Sequence, residues 1–397
     1  MEYIKLICRS LVYIACILTI AFASSCTSCS NYQVSIQNTN DEKETSVKPI
    51  LNVYIENSGS MDGYFSGKSD MRDDLYGYVS ELKGSTSAQN LFYINSTIIP
   101  IRQNTEAFFM GLNANSFKAG GGNRTHSNII DMMKMMLSKS NSNTVTMFVS
   151  DCILDLPSVD TKTFLDFEKT SLANTLRDYK NKHKDFGVRI LCMQSSFNGF
   201  LFPMGQTAIK TVGKRPYYIW ILGSDKLISK LMSNDSDAKL GSNLQNCVAY
   251  SDATSLPINI GKTKGPMSTN GVVNLRGGNL KFDLYVNFSS TLLDEKSIED
   301  KGMYDISPFL DLQNIQKINY AGAKYSHVLT FELQHASKAD NAQITIKKDM
   351  PAWVISMNDE TGDKPKTTCG IKYLIEGAKE AFDDDKPVTI NLQISKN

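Results

Sequence analysis

Between residues 49 and 245 the hydrophobic positions alternate between two kinds of period. Leu51 to Glu56 is a short run rich in Val, Ile and Tyr that stops at Asn-Ser-Gly-Ser, which predicts a strand followed by a turn. Met71, Leu75, Tyr78, Val79 and Leu82 then recur at helical spacing. The same reading places one or two strands in 91–101 and a short helix in 105–112. A Gly-rich loop at 119–124 precedes an amphipathic helix at 127–137, with Ser127 in position to cap it. A fully apolar strand, TVTMFVS, covers 144–150 and ends at Asp151. A helix at 168–183, strands at 187–194 and 217–222, and a helix at 225–232 complete the series. Strands apolar on both faces, alternating with helices, predict an open, mostly parallel α/β sheet, and ligands of such sheets bind beyond the carboxyl ends of the strands.

After about residue 250 the period changes to two. Leu280, Phe282, Leu284, Val286 and Phe288 alternate with polar residues, as do segments 325–333, 342–348 and 387–394. This is the signature of half-buried antiparallel sheet. One helix interrupts it at 370–382, with Ile371, Leu374, Ile375, Ala378 and Phe382 on one face. The expectation for 246–397 is therefore a smaller β-sandwich-like domain with one inserted helix, after an α/β domain over 49–245.

The first 48 residues fit neither pattern. Lys5 and Arg9 precede an uncharged apolar run from Leu11 to Ala23. That run is shorter than the roughly 20 residues needed to span a bilayer. A basic start, a short apolar stretch and small residues read as a secretory signal over 1–25. Ala23-Ser24-Ser25 followed by Cys26 resembles the bacterial lipobox, where cleavage before a Cys leaves it to be lipidated. Leu is more usual three residues before that Cys, and Cys29 is the fallback acceptor. Residues 26–48 are polar and nearly without apolar periodicity, so they read as a flexible tether. A lipid on Cys26 implies a protein of the cell envelope, periplasmic or surface-exposed, on a membrane but not through it.

Composition narrows the function classes. Lys plus Arg number 42 against 41 Asp plus Glu. Loss of the signal removes two basic residues and one acidic, which leaves the chain neutral. A nucleic-acid partner is not expected, because a polyanion binder draws its affinity from a basic excess. Of eight cysteines, Cys8 and Cys16 leave with the signal, and Cys152, Cys192, Cys247 and Cys369 stay in the body, where buried free thiols are the expectation. The Met-rich stretch Met132, Met133, Met135 and Met136, and the strand residues Tyr217, Tyr218 and Trp220, read as packing residues.

The residues that carry candidate chemistry follow the first strand: Glu56-Asn57-Ser58-Gly59-Ser60-Met61. A strand, an acid and x-Ser-Gly-Ser-Met resembles the metal-ion-dependent adhesion site of von Willebrand factor A domains. That family has Asp-x-Ser-x-Ser after its first strand, a Thr in a Gly-rich loop before a helix, and an Asp after a later buried strand. All three elements occur here in order. The first falls on Glu56, Ser58 and Ser60, and the last on Asp151. The middle one lies in GGGNRTHSNII, on Ser127 with Thr125 as the alternative. The resemblance spans roughly 49–235 and implies a Rossmann-like fold. It also implies a Mg²⁺ or other divalent ion held by Glu56, Ser58, Ser60, Ser127 and Asp151. Such an ion takes about six oxygens and tolerates neutral hydroxyl donors, which leave it open to a carboxylate from a partner. Two residues depart from the family pattern: Glu56 stands for Asp, and Cys152 follows Asp151 where Gly is usual.

His126, His183, His327 and His335 form no zinc-like spacing, GGGNRTHS lacks the Gly-Lys pair of a phosphate loop, and no Gly-x-Ser-x-Gly elbow is present. The resemblance thus implies a membrane-anchored adhesion module for an envelope or extracellular protein or glycan, and not an enzyme. The alternatives are a metal-assisted hydrolase using the same acids, and a structural subunit of an envelope complex with a metal-free site.

Overall fold

The computed structural model describes residues 31–37, 47–125, 128–157, 159–203, 206–232, 236–251, 256–277, 280–288, 292–293, 295–318, 323–334, 340–347, 349–383 and 387–396. Residues 1–25, expected to be a secretory signal, Cys26, His126 and Ser127 lie outside them. The chain runs β1 (Tyr32–Ile36), β2 (Ile50–Glu56), a 3-10 turn (Ser60–Phe65), α1 (Asp70–Leu82), β3 (Ala88–Ile94), β4 (Ile98–Ile101), α2 (Thr105–Gly111), α3 (Ala114–Lys118), α4 (Ile129–Ser138) and β5 (Thr144–Ser150). Next come α5 (Thr161–Lys182), β6 (Phe186–Leu201), β7 (Ile209–Ser224), α6 (Asp225–Met232), β8 (Leu244–Ser251), β9 (Ile258–Lys262), β10 (Val272–Leu275) and β11 (Lys281–Val286). The remainder is α7 (Glu295–Glu299), β12 (Tyr304–Ile306), β13 (Leu310–Lys317), β14 (His327–Leu333), β15 (Asp340–Ile346), α8 (Ala352–Met357), β16 (Asn358–Asp359), β17 (Thr368–Cys369), α9 (Ile371–Glu380) and β18 (Thr389–Lys396). Among the described residues no helix is long and apolar enough to cross a membrane.

One mixed sheet of seven strands, in the order β4-β3-β2-β5-β7-β6-β8, carries the candidate site. Only β3, β2 and β5 are mutually parallel. The other four pairings are antiparallel, which corrects the mostly parallel expectation. The apolar runs had suggested parallel strands because both faces are covered, and helical cover makes any strand apolar on both faces. On β2, Leu51, Val53 and Ile55 enter the core on one face, whereas Tyr54 enters the core on the other. On α4, Ile129, Ile130, Met132, Met133, Met136 and Leu137 are buried, as the helical spacing required. Each such side chain adds roughly 1.5–3 kcal/mol of transfer free energy.

Most strands beyond residue 250, together with β1, form two antiparallel sheets, β10-β1-β18-β15-β12 and β13-β14-β11-β9, around one shared apolar core. Three boundaries need correction. Tyr32–Ile36 is not tether: it pairs with β10 on one side and β18 on the other, and Tyr32 and Val34 are buried. Tyr32 and Val34 share one face, a period of two too short to stand out in a polar stretch. The α/β sheet does not end at 245, because β8 runs to Ser251. Finally, the helix expected inside the sandwich belongs to the other body. Ile371, Leu374, Ile375 and Ala378 of α9 join the core between α5 and the mixed sheet.

Candidate functional site

The strands β2 and β5 are neighbours and parallel, with Ile55 opposite Val149, so Glu56 and the Ser150-Asp151 pair emerge at the same end of the sheet. From there β2 leads through α1 to β3 on one side, whereas β5 leads through α5 to β6 on the other. Such a divergence opens a crevice at the carboxyl ends of the strands.

Side-chain direction then sorts the expected ligands. Tyr54 and Glu56 point to one face of β2, and there the Ser150 hydroxyl donates a hydrogen bond to the Glu56 carboxylate. The same hydroxyl accepts from the Cys152 N–H at 2.7 Å, which secures a residue held at φ 53°. Burial pushes the Cys152 thiol far above its usual range. Asp151 points to the opposite face. Its neighbours there are the first-loop hydroxyls: Ser58 Oγ and Ser60 Oγ lie 3.0 Å apart, and the Ser60 hydroxyl pulls the Asp151 carboxyl down against burial. The expected set is therefore split. Ser58, Ser60 and Asp151 come together, and Glu56 turns away to Ser150. Thr125 is exposed and donates its hydroxyl to Asn123 Oδ1 at 2.7 Å, so it serves its own loop. Asn128, not Ser127, caps α4, accepting from Asp131 N at 2.9 Å.

The first loop is held from below and beside. Met61, Tyr64 and Phe65 are buried, which fixes the 3-10 turn on the core. Asn57 Nδ2 donates to Phe117 O at 2.9 Å, and Asn95 Nδ2 donates to Gly121 O at 2.9 Å. Arg124 donates to Asn57 Oδ1, to Ser58 O at 3.1 Å and to the Asp62 carboxylate. Asp62 is thus a partner of Arg124. Gly122 sits at φ +72° against Asn95, where any Cβ would overlap the amide. These contacts make the Gly-rich loop a brace for Ser58 and Ser60.

A long hairpin closes the third side. The strands β6 and β7 pair over sixteen residues each, whereas β5 ends opposite Tyr218. The rest of the hairpin rises past the strand ends as an arm. It is clamped by the Tyr64 hydroxyl donating to Pro216 O, by Met71 N donating to Ser195 Oγ at 2.9 Å, and by the Lys214–Asp70 ion pair. Asp70 is held below its usual range, Lys214 being the largest cause. On the inner face of the arm, Arg215 is 4% exposed and lies 5.1 Å from the Phe197 ring centroid. Sequence reasoning missed Arg215; its one signal is a charge bordering an apolar strand.

Asp151 is 1% exposed. Burial pushes its carboxyl above the usual carboxylate range, against the pull of Arg215, the Ser60 hydroxyl and the Ile153 N–H. Asp151 Oδ2 and Arg215 Nε have no hydrogen-bond partner among the described atoms. Buried polar groups are normally paired, so an orphaned carboxylate oxygen beside two hydroxyls marks a place fit for a ligand. Hard oxygen donors of this kind suit a Mg²⁺-like ion. Ser58, Ser60 and Asp151 fit it; Glu56, bonded to Ser150, does not join them. Among the described residues no group of three or more His, Cys, Asp or Glu gathers around a point, so any ion here would depend on the hydroxyls.

A serine, a histidine and a carboxylate also lie in series in the sandwich. His327 Nδ1 faces Ser326 Oγ at 2.9 Å and Nε2 faces Glu295 Oε1 at 3.0 Å. Ser326 Oγ already accepts from Phe288 N at 2.8 Å and donates to Val286 O at 3.2 Å. With His327 buried, this chain of bonds braces β11 against β14 and offers no free nucleophile.

No protein-family model matches this chain, and no curated protein is detectably similar to it in sequence.

Proposed function

We propose that this protein is a lipid-anchored binding module of the cell envelope, with a von Willebrand factor A-like α/β body. On this reading it engages a protein or glycan partner at the carboxyl ends of β2 and β5. Ser58, Ser60 and Asp151 hold a divalent cation there, and a carboxylate of the partner completes its coordination. The observation that carries this reading is the meeting of two serine hydroxyls with a buried carboxylate whose Oδ2 has no partner. The ion would supply a shared point of attachment; Arg124 and Asn57 keep the loop in shape for it. With Cys26 as the anchor, only residues 27–31 separate the lipid from β1, a reach of about 20 Å, so the sandwich would stand close to the membrane.

The test is retention of a partner from envelope extract by immobilised wild-type protein, Asp151→Ala and the Ser58→Ala/Ser60→Ala double variant, with and without chelator. A partner held by wild type, and released by chelator and by both variants, is the expected result. Equal retention by wild type and Asp151→Ala overturns the reading.

A further inference from the structure

The arm formed by β6 and β7 places a permanent positive charge where the proposed ion would act. Alternation along β7 puts Arg215, Tyr217 and Ile219 on one face, and alternation along β5 puts Val149 and Asp151 on that same face, since Val149 is opposite Ile219. Arg215 is therefore on the side of the sheet to which Asp151 points. Its guanidinium is buried, seated over Phe197, and its Nε has no partner among the described atoms. Two buried ionisable groups, each with an unpaired atom, thus lie on one side of the sheet. Arg215 is also the largest influence pulling the Asp151 carboxyl back down against burial.

We propose that Arg215 is the resident counter-charge of this site, so that a divalent cation binds against the repulsion of the guanidinium. This proposal rests on the ion-binding reading given above. The physical basis is Coulombic: a guanidinium and a divalent ion buried on the same side of the sheet repel each other with little solvent between them.

The experiment is calorimetric titration of Mn²⁺ into wild type, Arg215→Gln and Arg215→Lys, with free Mn²⁺ counted by paramagnetic resonance. Arg215→Gln is expected to bind at least about tenfold more tightly than wild type, from the loss of one like charge at this range. Arg215→Lys keeps the charge and is expected to stay close to wild type. Equal affinity in wild type and Arg215→Gln overturns the proposal and leaves ion binding standing, as does equal tightening by Gln and Lys. Absence of binding in every form overturns both this proposal and the ion, and leaves partner retention to decide the module itself. Should Arg215→Gln not fold, Phe197→Leu loosens the seat of the guanidinium; unchanged Mn²⁺ affinity in that variant overturns the proposal.

Discussion

The Ser150 hydroxyl donates to the Glu56 carboxylate across the paired ends of β5 and β2. This bond turns the first acid of the expected ligand set toward the core and leaves Ser58, Ser60 and Asp151 on the other side. It also belongs to a relay, since Ser150 Oγ takes the Cys152 N–H and so supports the turn that follows Asp151. Ser150→Ala removes both bonds at a buried site. The expected loss is about 2 kcal/mol, read as a lower urea midpoint at unchanged slope. An unchanged midpoint would show that the relay does not matter to the fold.

Gly63 meets the arm directly. A Cβ at this position would run into the Phe197 ring, which itself packs edge-on to Tyr64 at 4.9 Å. Gly63→Ala is expected to cost about 1–3 kcal/mol by overpacking. Phe197→Leu should return part of that loss in the double variant, giving a coupling energy of at least about 0.5 kcal/mol. Strict additivity of the two substitutions would separate the 3-10 turn from the arm.

The assignment of α9 to the α/β body makes a sharper demand. Leu374 is fully buried in the core that contains Trp220, and Trp353 packs against that core as well. Leu374→Ala is expected to destabilise the α/β body by about 2–5 kcal/mol. The two tryptophans report this unfolding by fluorescence. A fluorescence transition that does not move would return α9 to the sandwich.

Acid stability should reveal Glu295. Burial raises its carboxyl, but the bonds to His327 and Lys317 outweigh that and bring it below its usual 4.5. A folded value below the unfolded one contributes stability above about pH 4.5, and that contribution is lost as pH falls through the depressed value. Glu295→Gln should therefore be less stable than wild type at pH 7, by about 0.5–1 kcal/mol because the group is partly exposed and screened. The gap should close in acid. Thermal melts at a series of pH values check this, and a gap that persists below the range of the native carboxyl contradicts it.

Much of the layout is legible in the residue pattern because burial imposes a period. Alternation in 325–333 requires one face more open than the other, and helical spacing in α4 requires one dry stripe; both hold, whereas in 280–288 Asp283 on the polar face is buried as well. The order Ser-Gly-Ser, Gly-rich loop, Asp after an apolar strand likewise puts Ser58, Ser60 and Asp151 at one end of one sheet. Strand direction was not legible, because a covered strand is apolar on both faces whether its neighbour runs with it or against it. Nor was the home of α9, whose stripe of Ile371, Leu374 and Ile375 would suit any apolar surface and which packs on α5 through long-range contact. The site shows the same division. Its residue types are set by the chain, but which of them meet depends on side-chain direction at strand ends. There Glu56 and Asp151 diverge by the pleat, and Arg215, more than sixty residues later in sequence than Asp151, is brought beside it by the β6–β7 hairpin.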